Sequence, residues 1–137
     1  MNMHRSSTQA TEHQIQSAFV ELCRLHESRY PALQLAYGIP NAGAGASRGR
    51  AGKMKAEGAR PGIPDWCLPV ANRQHIGLFI EFKRNKYRKA ELHQRALHSR
   101  LRLAGHQVEV CWDVEQAWLV VKRYFGNVQN TSVPAVD

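Results

Sequence analysis

Near the start of the chain, Ile15, Ala18, Phe19, Leu22 and Cys23 recur at helical spacing behind Thr11, which pairs with Gln14 as a capping box. The pattern predicts a helix over residues 12–28 that stops near Tyr30-Pro31. Leu33, Leu35, Tyr37 and Ile39 then alternate with Gln34, Ala36 and Gly38, the period-two pattern of a half-buried strand, ended by Pro40-Asn41. Residues 42–62 are rich in Gly, Ala, Arg and Lys and nearly devoid of large apolar side chains, which predicts a mobile basic loop with room for a short helix around residues 53–57.

Two apolar runs, DWCLPV from Asp65 and IGLFIEFK from Ile76, flank the polar turn 71–75 and predict an antiparallel hairpin, with Pro69 either at a sheet edge or ending its strand. Leu92, Ala96, Leu97, Leu101, Leu103 and Ala104 predict a helix over residues 89–104 with Gly105 as its C′ residue. Val108, Val110 and Trp112 alternate as a strand. A second capping box, Asp113 with Gln116, then leads Val114, Ala117, Val120, Val121 and Tyr124 into a last helix closed by Gly126. The order α-β-β-β-α-β-α, without internal repeat, fits an α/β fold in which a mixed sheet is flanked by helices. The crossover through the helix at 89–104 makes its two flanking strands parallel. Residues 1–11 are expected to be disordered, 12–126 to form the domain and 127–137 to be a flexible tail.

Composition narrows the partner. A chain of 137 residues is the size of one domain, and 19 Lys+Arg against 11 Asp+Glu give a net charge of +8, which favours a polyanion such as nucleic acid. No apolar run approaches the ~18 residues of a membrane span and the first residues are polar, so a cytoplasmic location is expected, without membrane contact. Cys23, Cys67 and Cys111 are odd in number and widely spaced, the mark of reduced, buried thiols rather than a zinc or redox pair.

The chemistry gathers at the hairpin. Side chains alternate across a sheet, so Leu78, Ile80 and Phe82 face one side while Phe79, Glu81 and Lys83 face the other. A carboxylate and an ammonium so placed read by default as a solvated ion pair at a strand end. Asp65 changes that weighting, because it opens the partner strand directly after the rigid turn Pro61-Gly62-Ile63-Pro64. Two converging carboxylates repel unless a hard divalent cation sits between them, and Mg²⁺ prefers one or two carboxylates plus waters and phosphate oxygens. That suits phosphodiester hydrolysis, with Lys83 holding the attacking water or offsetting charge on phosphorus. Gln94, a polar residue on the apolar stripe of Ala90, Leu97, Leu101 and Ala104, is placed to position Lys83 or a phosphate. Glu12 precedes Ile15 and Phe19 on the inner face of the first helix, where it is either a further acid of the site or a complement to the helix dipole.

Other chemistries fit less well. Gly43 and Gly45 lack the third glycine of a dinucleotide fold, and Gly52-Lys53 is followed by Met54 rather than the Ser or Thr of a phosphate-binding loop, so no nucleotide cofactor is expected. The seven histidines show no zinc spacing, and His93 and His98 read as exposed or capping residues.

At these residues the sequence resembles the VRR-NUC family, a branch of the PD-(D/E)XK nucleases with a restriction-endonuclease-like core. Gly62-Ile63-Pro64-Asp65 resembles its GxPD motif, Glu81-Phe82-Lys83 its ExK, and Gln94 the glutamine early in its next helix. The likeness runs over residues 12–125, including Ile39-Pro40-Asn41, residues 55–62 and Ala104-Gly105-His106-Gln107-Val108. It implies a Mg²⁺ or Mn²⁺ ion ligated by Asp65, Glu81 and the backbone carbonyl of Phe82, with Lys83 catalytic, Glu12 as the first-helix acid and Gln94 as an active-site residue. It also implies a free-standing bacterial or phage protein, acting as a homodimer on four-way (Holliday) junctions in a bacterial cell or a phage-infected host. The basic residues Arg48, Arg50, Lys53, Lys55 and Arg60 before the site, Arg84, Lys86, Arg88 and Lys89 after it, and Asn41 are expected to contact DNA. The rival reading is a non-catalytic DNA-binding or recombination accessory protein that uses the nuclease fold as a platform.

Overall fold

The structure, a computed structural model, describes residues 9–40 and 47–126; Asn41, the residues before Gln9 and the tail after Gly126 lie outside them. Helix α1 (Glu12–Leu25) starts as the sequence predicts: the Gln14 amide donates to the Thr11 hydroxyl at 3.1 Å, and Gln14 Oε1 accepts from the Thr11 amide at 2.9 Å. It buries Ile15, Phe19 and Cys23 and ends short of the expected boundary, residues 26–29 forming a turn.

The strand predicted over residues 33–39 is a 3-10 helix, Pro31–Leu35, followed by the short strand β1 (Tyr37–Gly38). Pro31, with φ preset and no N–H to lose, starts the helical turn. The alternating apolar residues do not share a buried face, since Leu33 is buried while Leu35 and Tyr37 are exposed. The basic segment carries a longer and earlier helix than expected, α2 (Arg48–Ala56), with the Ser47 hydroxyl accepting from the Arg50 amide at 3.2 Å and no buried residue along its length.

Strands β2 (Trp66–Leu68), β3 (Leu78–Phe82) and β4 (Gln107–Cys111) complete a four-stranded sheet in the order β1-β2-β3-β4. β2 pairs antiparallel with β1 and β3, stops before Pro69 and lies inside the sheet; β3 and β4 run parallel, Phe82 opposite Cys111.

Leu78, Ile80 and Phe82 are buried in one cluster with Phe19, Cys23, Ala117, Val121 and Tyr124, so α1 and α4 (Val114–Gly126) cover that face. The Phe19 ring meets Trp66 edge-on at 4.9 Å and Phe82 at 5.3 Å, which anchors α1 to the sheet. The other face, bearing Phe79, Glu81 and Lys83, lies under α3 (Leu92–Leu103), and Gly105 ends that helix at φ +107°. The result is a helix–sheet–helix sandwich.

The apolar pattern misplaces the inner stripe of α3. Leu92 and Leu103 are 76% and 90% exposed, while His98, expected to be exposed or capping, is 1% exposed. All three cysteines are free and buried, and burial pushes the Cys23 and Cys111 thiols up to about 12. Among the described residues no helix is long and apolar enough to cross a membrane.

Candidate active site

The site forms where β2 begins and β3 ends, on the face beneath α3. Ahead of β2 the chain turns at Gly62, whose φ is +85° and whose added Cβ would stand 3.1 Å from the His93 ring and 3.4 Å from Gln94 Cα. Only glycine allows both that backbone and that approach, so the turn brings Asp65 in beside α3. The Asp65 amide donates to the Ile80 carbonyl at 3.0 Å, and its Oδ2 accepts from the Phe82 amide at 2.7 Å, which fixes the carboxylate beside Glu81. From the far face Gln16 on α1 holds the Asp65 carbonyl through its Nε2 at 3.3 Å. No motif marks Gln16; its helix position, one turn after Glu12, is the only sequence signal.

Glu81 and Lys83 are buried, at 4% and 9% exposure, and are joined by an ion pair of 3.5 Å. Gln94 bridges them: its Oε1 accepts from Lys83 Nζ at 3.0 Å and its Nε2 donates to Glu81 Oε1 at 3.2 Å. The same Oε1 also accepts from the Glu91 amide at 2.9 Å, so the first turn of α3 is tied to the side chains of β3.

Burial pushes the Glu81 carboxyl up to about 8; the Asp65 charge beside it adds to the rise, Lys83 opposes it and Glu12 adds a smaller push. Glu81 Oε2 is buried and has no hydrogen-bond partner among the described residues. A buried carboxylate oxygen without a donor, on a group that a second carboxylate already repels, is costly, and a hard cation would relieve both the repulsion and the missing bond. The donor set therefore fits Mg²⁺ or Mn²⁺, with Asp65, Glu81 and the Phe82 backbone carbonyl as the residues that could hold it.

Glu12 stands at the exposed start of α1, in a cleft of about 500 Å³ that Arg84 and Arg88 also line. Among the described residues, no three His, Cys, Asp or Glu side chains form a metal-holding group, so Glu12 does not close into one cluster with Asp65 and Glu81. Arg48, Arg50, Lys53 and Lys55 lie on α2, and Lys55 and Arg60 line a cleft of about 510 Å³ between α2 and the turn leading to Gly62. Lys86 lies over the exposed Tyr87 ring at 5.3 Å. His93 is exposed and pairs with Glu91 at 3.5 Å.

His98, one turn beyond Gln94 and missed at the sequence level, packs behind the site; burial lowers its pKa, and the Arg102 and Lys83 charges lower it further. A histidine among apolar helix positions gives no sign of which way it points.

The solved structures that share this fold include two VRR_NUC proteins. One, described as a VRR_NUC domain protein, superposes with a TM-score of 0.73 at 21% identity, over 87% of this chain and 91% of its own. The other, described as a VRR_NUC domain, has a TM-score of 0.51 at 24% identity, over 84% of this chain and 99% of its own. No family model matches the sequence, and no curated protein does.

Proposed function

We propose that this chain, which has the fold of the VRR-NUC domains, is a metal-dependent endonuclease that hydrolyses DNA phosphodiesters and prefers branched DNA such as four-way junctions. The observation that carries the reading is the Asp65–Glu81 pair with its partnerless Glu81 Oε2, set beside a lysine that Gln94 holds in place.

A bound Mg²⁺ or Mn²⁺ would polarise a phosphoryl oxygen and acidify a water. The residues do the rest. Lys83, 3.5 Å from Glu81 and aimed by Gln94, donates to the attacking water or to the oxygens that gain charge as phosphorus becomes five-coordinate. Asp65 is held at the Phe82 amide, so its carboxylate is oriented before substrate arrives. Glu12 adds a weak negative charge felt at Glu81, which would favour a cation there.

The unburied helix α2, Arg60, and Arg84, Lys86 and Arg88 supply phosphate contacts on both sides of the site. Such contacts carry affinity without sequence reading, which suits a structure-selective enzyme. The exposed stripe Leu92, Ala96 and Leu103 along α3 supports a homodimer, whose two-fold axis would present one site to each of two equivalent strands.

The test is a panel of four-way junction, flap, nicked duplex and single strand, incubated with purified protein and Mg²⁺ or Mn²⁺. Junction cleavage is expected. Binding to DNA without cleavage of any member would favour the accessory-protein reading.

A further inference from the structure

The opposite end of the sheet carries a separate cleft, of about 470 Å³, lined by His75, Arg102, His106, Glu109 and Arg123 among others. It sits where β3 and β4 begin, Leu78 opposite Gln107, whereas the candidate active site sits where β3 ends. From Leu78 to Lys83 the strand covers about 16 Å at ~3.3 Å per residue, so this cleft and the candidate active site lie at opposite ends of the sheet.

This cleft is held rigidly. Arg102 Nη2 donates to the Val108 carbonyl at 2.7 Å, which fixes one guanidinium at the wall. The turn that carries His75 is pinned by Asn72, whose Oδ1 accepts from the His75 amide at 2.7 Å and whose Nδ2 donates to the Tyr124 carbonyl at 3.2 Å. The His106 ring stands edge-on to Phe79 at 5.1 Å. Both His75 and His106 have a buried Nδ1 with no partner among the described residues. A proton there would be an unsatisfied buried donor, which favours the tautomer with the N–H on Nε2.

Among the described residues, no carboxylate forms an ion pair with Arg102 or Arg123, and Glu109, the one acid in the cleft, is engaged by Gln107 at 3.4 Å. Two guanidiniums and two imidazole N–H donors around one depression match the oxygens of a phosphodiester backbone.

Resting on the nuclease reading above, we propose that this cleft binds the sugar-phosphate backbone of a second duplex arm while a first arm lies at Asp65, Glu81 and Lys83. A straight duplex laid across the catalytic pole cannot reach the other pole through the body of the protein. A branched molecule can, with its second arm folded around the domain. The cleft would thus convert a general affinity for phosphates into a preference for branch points.

The test uses the full chain carrying Asp65→Ala, so that binding is read without cleavage. Affinity is measured for a four-way junction and for a linear duplex of equal length at one salt concentration, with Arg123 unchanged, Arg123→Glu and Arg123→Lys. Arg123→Glu is expected to weaken junction binding by about tenfold or more and to leave the linear duplex within about twofold, with Arg123→Lys between, as removal of one phosphate contact requires. His106→Ala should act in the same direction, and a thermal melt of each variant checks folding. Equal weakening on both DNAs, or none on either, overturns the proposal. Junction cleavage is followed beside these assays in protein that keeps Asp65: cleavage together with junction affinity that ignores Arg123 would sink this cleft alone, and absent cleavage with Arg123-dependent junction binding would sink the catalytic reading alone.

Discussion

Lys83 Nζ and Gln94 Oε1 are joined by a hydrogen bond of 3.0 Å that links the end of β3 to the first turn of α3. The amide's other end holds Glu81 at 3.2 Å, so one uncharged side chain sets the distance between the acid and the base. Gln94→Ala removes both bonds. A hydrogen bond to a charged group contributes about 1.5–3 kcal/mol, so the single-turnover cleavage rate should fall by about 10- to 100-fold while the KM for DNA changes little. A variant with the wild-type rate would show that Lys83 needs no such guide.

The Glu81 carboxyl, raised from its ordinary 4.5 to about 8, makes stability depend on pH in a set direction. Its folded pKa lies above its unfolded one, so the folded state holds the extra proton. The stabilisation is complete below about 4.5 and is lost as pH rises through 8. Metal-free protein should therefore lose melting temperature across that window, and Glu81→Gln should flatten the loss; the two melting curves against pH decide it. A metal-bound site reverses the preference, so binding of Mg²⁺ should release protons near neutral pH, measurable by titration calorimetry in two buffers.

Gly62 is the hinge on which Asp65 swings in. Gly62→Ala combines a left-handed backbone with a Cβ 3.1 Å from the His93 ring, and should cost about 1–3 kcal/mol of unfolding free energy. Because the clash pushes α3 away from the Asp65 turn, cleavage should fall by more than the stability loss explains; denaturant melts and rates on the same sample separate the two.

Much of this site is legible in the sequence, because the hairpin, its alternation and the Pro-Gly turn are local signals. Asp65, Glu81, Lys83 and Gln94 meet where that pattern puts them. What escapes is set by tertiary contact. The helix beginning at Pro31 imitates a strand because Leu33, Leu35 and Tyr37 alternate, yet among the described residues no layer covers Leu35 and Tyr37. α2 has no apolar period to find, being a capped helix with nothing buried. On α3 the bonds of Gln94 and the burial of His98 rotate the helix so that Leu92 and Leu103 turn outward.

If α2 meets DNA phosphates, the salt dependence of binding will say how many. Lys53→Ala together with Lys55→Ala should weaken all DNAs alike and reduce the slope of log affinity against log salt by about 2, near 0.9 for each phosphate no longer neutralised. An unchanged slope would take α2 out of the interface.

Whether Asp65 and Glu81 grip one cation beside Lys83 is tested most directly by cleavage of a labelled four-way junction in Mg²⁺ or Mn²⁺. The unaltered chain, Asp65→Ala and Lys83→Ala are compared, with binding followed in parallel. Cleavage that falls at least ~10²- to 10³-fold in both variants, with DNA still bound, is the predicted result. Cleavage that survives Asp65→Ala, or that proceeds equally well in a metal chelator, would contradict it.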